Sequence, residues 1–242
     1  MRNIIVLLYV ITFPFYLSAV NFPVEEKEFA LTSKFSILNG RGQEIVWNFE
    51  GSEMNPEIEK FSELIWELTN VPMLETEVTW NFASQGHLRV GVATALTEAS
   101  GSMTDTDWLS ETFPYDWTHF SSGRTRLIKG YQLNMALVID LYKDKVFTLS
   151  SLYGFKYRGW KWETYGGHYL YSSDPDGGGF RDEEGDFANY RAIDYNQDVY
   201  IPYTGLEGTI RKDKWAVTGY VLGSPIAVIK TRDYHNLREK LT

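Results

Sequence analysis

The chain has 242 residues, a net charge of −9, 16% aromatic residues and no cysteine. That length admits one large all-β domain or two smaller ones. The acidic balance, with no basic patch or basic helix, argues against a nucleic-acid partner, and the lack of cysteine rules out disulfides and cysteine-bound zinc.

Residues 1–19 read as a secretory signal peptide. Arg2 gives the positive start, Ile4 to Tyr16 the apolar run, and Leu17-Ser18-Ala19 a cleavage site before Val20. A membrane-anchoring helix is the rival reading, but the run is short of the ~20 residues that a full span requires. No later segment is continuously apolar enough for a transmembrane helix. From residue 20 onward the pattern is one of strands, coarsely Lys34–Trp47, Lys60–Phe82, His87–Met103, Arg126–Tyr142, Val146–Ser172, Arg191–Arg211 and Trp215–Arg232. Leu74, Thr76, Val78, Trp80 and Phe82 alternate with Glu75, Glu77, Thr79 and Asn81; Leu133 to Leu141 alternate in the same way with Gln132 to Asp140. Large apolar groups on one face and polar groups on the other is the period-two signature of a half-buried strand. A soluble sandwich alternates too, but here the connections also alternate in length. Tight turns at 83–86, 143–145 and 212–214 separate long polar loops at 49–59, 105–124 and 173–190. Short turns at one end and long loops at the other favour an up-and-down outer-membrane β-barrel, apolar outside and polar within, with Trp and Tyr suited to interfacial girdles. Several strands exceed the ~10 residues that cross a bilayer and should rise above it. Pro72 and Pro225 predict bulges or local unpairing.

Two clusters carry the candidate chemistry. The run SGSMTDTDW places Asp105 and Asp107 two residues apart, and Arg232-Asp233-Tyr234-His235 does the same for Asp233 and His235. In a strand, side chains at i and i+2 leave the same face. Two adjacent acids resist ionising together and titrate as a pair, while an Asp beside a His orients the imidazole and stabilises its protonated form. Face to face, the pairs could hold and activate one water. Spacing alone favours a plainer reading, that these are chance acids in loops.

The motifs decide in favour of chemistry. SGSMTDTDW at Ser100–Trp108, GGHYLYSS at Gly166–Ser173, GFRDEEGDF at Gly179–Phe187, YIPYTGL at Tyr200–Leu206 and RDYH at Arg232–His235 follow one another in an order that resembles the omptin family of outer-membrane endopeptidases. The resemblance covers nearly everything after the signal. It implies an all-β, antiparallel barrel with an outward-facing groove, a catalytic Asp–Asp couple at Asp105 and Asp107, and an Asp–His dyad at Asp233 and His235. It further implies cleavage of peptides or proteins beside basic residues, with a water as nucleophile and neither a metal nor a covalent intermediate.

The departures predict altered specificity. Glu44 matches an acid of the family's basic-residue pocket, but Thr231 stands where its acidic partner is expected, and His119 replaces an acid used on the other side of the cut. The resemblance also implies dependence on outer-membrane lipid, lipopolysaccharide, held on the outer wall; Phe155, Tyr157, Gly159 and Asp198 occupy positions where Tyr, Glu and two Arg are expected, and Arg158 would face the other way. No other cofactor is implied. Asp174-Pro175-Asp176-Gly177 with Asp182, Glu183 and Asp186 lacks the spacing of an EF-hand loop and reads as a solvated acidic loop. His87 and His168 read as structural. A non-enzymatic surface barrel, an adhesin or binding protein on the same scaffold, remains the alternative function. The pattern gives about seven strands against the even number usual for single-chain bacterial barrels. The resemblance implies three more after Thr242, so this chain reads as a truncated form, 20–242, expected to insert poorly and cut little by itself.

Overall fold

A computed structural model describes residues 28–52, 55–213, 215–236 and 240–241; the expected signal peptide lies outside the described residues. The strands are β1 (Phe29–Ser52), β2 (Asn55–Ala83), β3 (Gly86–Ala95), β4 (Ala99–Asp107), β5 (His119–Lys143), β6 (Phe147–Tyr171), β7 (Glu183–Lys212), β8 (Trp215–Gly223), β9 (Val228–His235) and β10 (Lys240–Leu241). All pair antiparallel in one sheet ordered β1-β2-β3-β5-β6-β7-β9-β10, with β4 between β2 and β5 and β8 beside β7. Among the described residues there is no helix.

Two expected strands are broken. β3 and β4 are halves of the predicted His87–Met103 strand, and β8 and β9 are halves of Trp215–Arg232. Pro225, which has no N–H for the ladder, falls in the second break as predicted. Pro72 stays inside β2 opposite Ile37, and its carbonyl accepts from Leu96 N–H at the first break. Counting each broken strand once leaves seven long strands and the short β10.

The polar loops are shorter than predicted. β1 and β2 pair up to Ser52 opposite Asn55, β4 runs to Asp107, β5 starts at His119 and β7 at Glu183. Above a bilayer both faces of a strand meet water, so polar composition there does not signal a loop; only the turn-formers mark the tip. The catalytic candidates therefore stand in strands, not in loops.

The large apolar face points outward. Leu31 is 71% exposed, and Phe35, Ile37, Val78, Phe82, Met135 and Ile139 are exposed with it. Inside lie ion pairs: Lys34 reaches Glu75 and Glu77, and Arg89 grips Glu207 with two hydrogen bonds of 2.6 and 2.7 Å. A sandwich would have the reverse arrangement. The sheet curls until side chains from β2 meet those from β6 and β7, and there an aromatic floor crosses the interior. Trp66 stacks on Tyr195 (centroids 5.2 Å, planes 4° apart) and packs on Trp162 at 6.0 Å, all fully buried. Leu64, Met103, Leu127 and Ile193 complete this core.

Candidate active site

Met103 belongs to the buried core, so on β4 the same face carries Asp105 and then Asp107 upward, above the aromatic floor. β4 is laddered on both sides. Asp105 is opposite Leu64 on β2 and Ser121 on β5, and Asp107 is opposite Ser62 and His119. A couple fixed on a central strand is held more rigidly than one on a loop.

On β9, Thr231, Asp233 and His235 share one face. Asp233 is buried, and His235 Nε2 donates to its Oδ2 at 2.6 Å. That contact places Nε2, not Nδ1, against the carboxylate.

Glu44 on β1 joins the two pairs. It lies opposite Leu64, which in turn lies opposite Asp105, so two strand spacings, about 10 Å, separate Glu44 from the couple. Its carboxyl also meets the Tyr195 and Thr231 side chains and feels Asp233 and His235. Burial first, then repulsion from Asp233, pushes the Glu44 carboxyl above its usual value of 4.5. Its Oε2 is buried with no hydrogen-bond donor. Burial and the Glu44 charge in turn raise the Tyr195 hydroxyl. Tyr195 and its support Gln197, whose Nε2 donates to the Tyr195 oxygen at 3.3 Å, carried no sequence signal as site residues.

His119 sits directly across from Asp107, with Nδ1 2.9 Å from the Thr118 hydroxyl and its ring 4.9 Å from that of Tyr171. Thr118 is fully buried and also accepts from Leu109 N–H, which anchors the base of the 108–118 loop. Beside it on the rim, the 172–182 loop clasps it. Asp176 Oδ1 accepts from Ser110 Oγ (2.7 Å) and Thr112 N–H (2.9 Å), while Arg181 donates twice to the Trp117 carbonyl and lies 3.6 Å from that indole's centroid. The acids read as a solvated loop are exposed, as expected, and some also hold the loop's shape: Asp174 accepts from Gly177 N–H and Asp182 from Ser173. Among the described residues no group of three or more His, Asp or Glu is arranged to hold a metal ion.

The remaining candidates lie apart from this mouth. His87 contacts Arg89 inside, and His168 stands outside between Glu184 and Asp186, at 3.4 and 3.2 Å. On the outer wall, Tyr157 donates to Asp198 at 2.6 Å and stacks on Tyr200, with Phe155 beside Tyr200. Arg158 is opposite buried Val199, on the inner face.

The sequence profile described as the Omptin family matches residues 25–242. Protease 7 of Escherichia coli strain K12 is 30% identical over 162 residues, which is 66% of this chain and 50% of that protein. Outer membrane protease OmpP of the same strain is 30% identical over 74% of this chain and 57% of its own length. The plasminogen activator of Yersinia pestis is 25% identical over 89% of this chain and 65% of its own length. The chain thus spans between half and two thirds of the curated relatives it matches. The crystal structure of the outer membrane protease OmpT from Escherichia coli superimposes with a TM-score of 0.77 at 24% identity, over 90% of this chain and 71% of that one. With that fold and that match, the chain belongs to the omptin family.

Proposed function

We propose that this outer-membrane barrel is an endopeptidase that activates a water between its two acidic pairs and cuts beside basic residues. The observation that carries the reading is the 2.6 Å His235–Asp233 contact on the same inner face, and at the same level through Glu44, as the Asp105–Asp107 couple. His235 takes a proton from the water at Nδ1. Asp233 holds the imidazole and stabilises the imidazolium that forms. Asp105 and Asp107 position the water and, sharing a proton, stabilise the tetrahedral intermediate. The oxygen chemistry needs no metal and no covalent enzyme intermediate.

Glu44 supports the basic-residue preference. Its Oε2 is buried without a donor, which a substrate guanidinium or ammonium would supply. Thr231 in place of a second acid leaves one charge-assisted contact, so the preference is weaker than a strict dibasic rule. The cleft faces outward, at the end of the barrel that carries the longer loops. Outer-membrane lipid surrounds the outer wall, but Phe155, Tyr157, Gly159 and Asp198 are not the basic cluster that would hold lipopolysaccharide, so activity independent of it is expected. Wild-type protein and His235→Ala, each supplied with an Arg-containing fluorogenic peptide, test the reading: only the wild type should cut. Peptide bound but left intact by the wild type would favour the non-enzymatic surface barrel, a reading that Thr231 in the acidic pocket supports.

A further inference from the structure

The line from β4 to β9, from couple to dyad, divides the mouth in two. Around the sheet, Glu44 on β1 occupies one half, and β5, β6 and β7 wall the other. On that second side the cross-strand row Asp105–Ser121–Tyr169–Gly185 keeps Tyr169 on the face of the couple. The rings run on without interruption: His119 to Tyr171 at 4.9 Å, Tyr171 to Tyr169 at 4.9 Å, Tyr169 to Phe187 at 4.8 Å.

Local backbone devices build this wall. Below, Trp160, Trp162 and Thr164 face inward, at even positions; above, Tyr169 and Tyr171 do, at odd ones. The phase changes at Gly166 and Gly167, both at positive φ (55° and 120°), where the β5–β6 register slips. A Cβ on Gly167 would lie 1.8 Å from the Ser122 carbonyl oxygen, so only glycine fits. Gly185 is kept clear for the Tyr169 ring, since a Cβ there would meet the Tyr169 hydroxyl at 2.7 Å. Tyr169, Tyr171 and Phe187 are half-buried, so each keeps some surface exposed. Nothing in the water-activating chemistry uses them.

We infer that Tyr169, Tyr171 and Phe187, with His119 at their near end, form a substrate subsite for an aromatic or large aliphatic side chain, on the far side of the scissile bond from the Glu44 pocket. The occupant follows from continuity. A peptide lying across the couple–dyad line with a basic residue at Glu44 must send its next residues along this wall, and ring faces bind apolar and aromatic groups in offset or edge contact. The choice of a peptide as occupant rests on the proteolytic reading above. The substrate class becomes peptides with a basic residue at the cut and a bulky apolar residue shortly after it.

Two labelled peptides test this, identical except for Trp or Ser two residues beyond an Arg, with the amide after the Arg replaced by an uncleavable methyleneamino link. Fluorescence anisotropy with the full wild-type chain in micelles should show the Trp peptide binding about ten-fold tighter or more. Tyr171→Ser, Phe187→Ser and Gly185→Ala, the last by displacing the Tyr169 ring, should each narrow that gap and leave the Ser peptide's affinity within about two-fold. Equal affinities for the two peptides in the wild type overturn the subsite even if every variant fails to fold. A Trp preference in a protein that cuts neither peptide's natural-amide counterpart would uphold the subsite and refute the protease.

Discussion

On the proposed mechanism, taking away the His235 imidazole leaves the couple intact but removes the base, and taking away Asp105 leaves the base with a water that is no longer held. Because such groups act as a set, either His235→Ala or Asp105→Ala should lose most of the rate enhancement, not a share of it. Both positions lie above the apolar band, so yields of folded protein should match the wild type; cleavage rates on an Arg peptide check both statements. Glu44 carries a second expectation with a definite sign. Its folded-state value lies above 4.5, so the carboxyl contributes stability that is complete below 4.5 and is lost as pH rises through the raised value. Glu44→Gln should therefore make the fold more stable at neutral pH while weakening selection for Arg and Lys by about 1–3 kcal/mol. In the wild type, discrimination of an Arg peptide from its Gln counterpart should grow as pH rises through the same window, because only the ionised carboxylate pairs with the cation. A kcat/KM ratio that is flat with pH would contradict that assignment.

Strands and loops give the site its rigidity. The 108–118 and 172–182 segments are joined by Asp176, whose carboxyl is held below its usual value of 3.8 by Thr112 N–H and the Ser110 hydroxyl. The clasp is thus present at neutral pH and is lost as pH falls through the depressed value. Asp176→Ala should speed hydrogen exchange at the Thr112 amide and leave that of Leu109, held by Thr118, unchanged. Beneath the site, Trp162→Ala removes an indole packed on Trp66, Trp160 and Tyr195, and should cost about 3–5 kcal/mol in urea unfolding. Much of this level was legible in the sequence. Alternation gave the strands, and i, i+2 spacing gave the two pairs, because the period of a strand is a local property. What stayed hidden depends on register. The slip at Gly166-Gly167 that turns Tyr169 and Tyr171 inward, the break at Leu96–Glu98, and the meeting of Glu44 with Thr231 across the sheet all follow from pairing between distant segments, which no local pattern reports. The long polar loops are shorter than their composition predicts, because polar residues above a membrane look alike in strand and loop.

For the molecule as a whole, the outward apolar face and the ion-paired interior describe a protein whose solvent is lipid on one side. Leu137 lies in that face, so Leu137→Arg should cost about 2–4 kcal/mol of stability in bilayers, while Asn134→Arg on the inner face should cost far less; folding titrations in lipid vesicles separate the two. The aromatic floor of Trp66, Trp162 and Tyr195 lies between the mouth and the ion-paired interior below it. The two acidic pairs, the Glu44 pocket and the clasped loops all belong to that one opening. The most direct measurement is cleavage of an Arg-containing fluorogenic peptide by outer-membrane vesicles that carry the full chain, with the wild type, His235→Ala and Asp105→Ala matched for abundance. Measurable cleavage by the wild type, however slow, and a loss of about a thousand-fold or more in both variants is the expected result. A His235→Ala protein that cuts at the wild-type rate, or a wild type that does not cut at all, would contradict it.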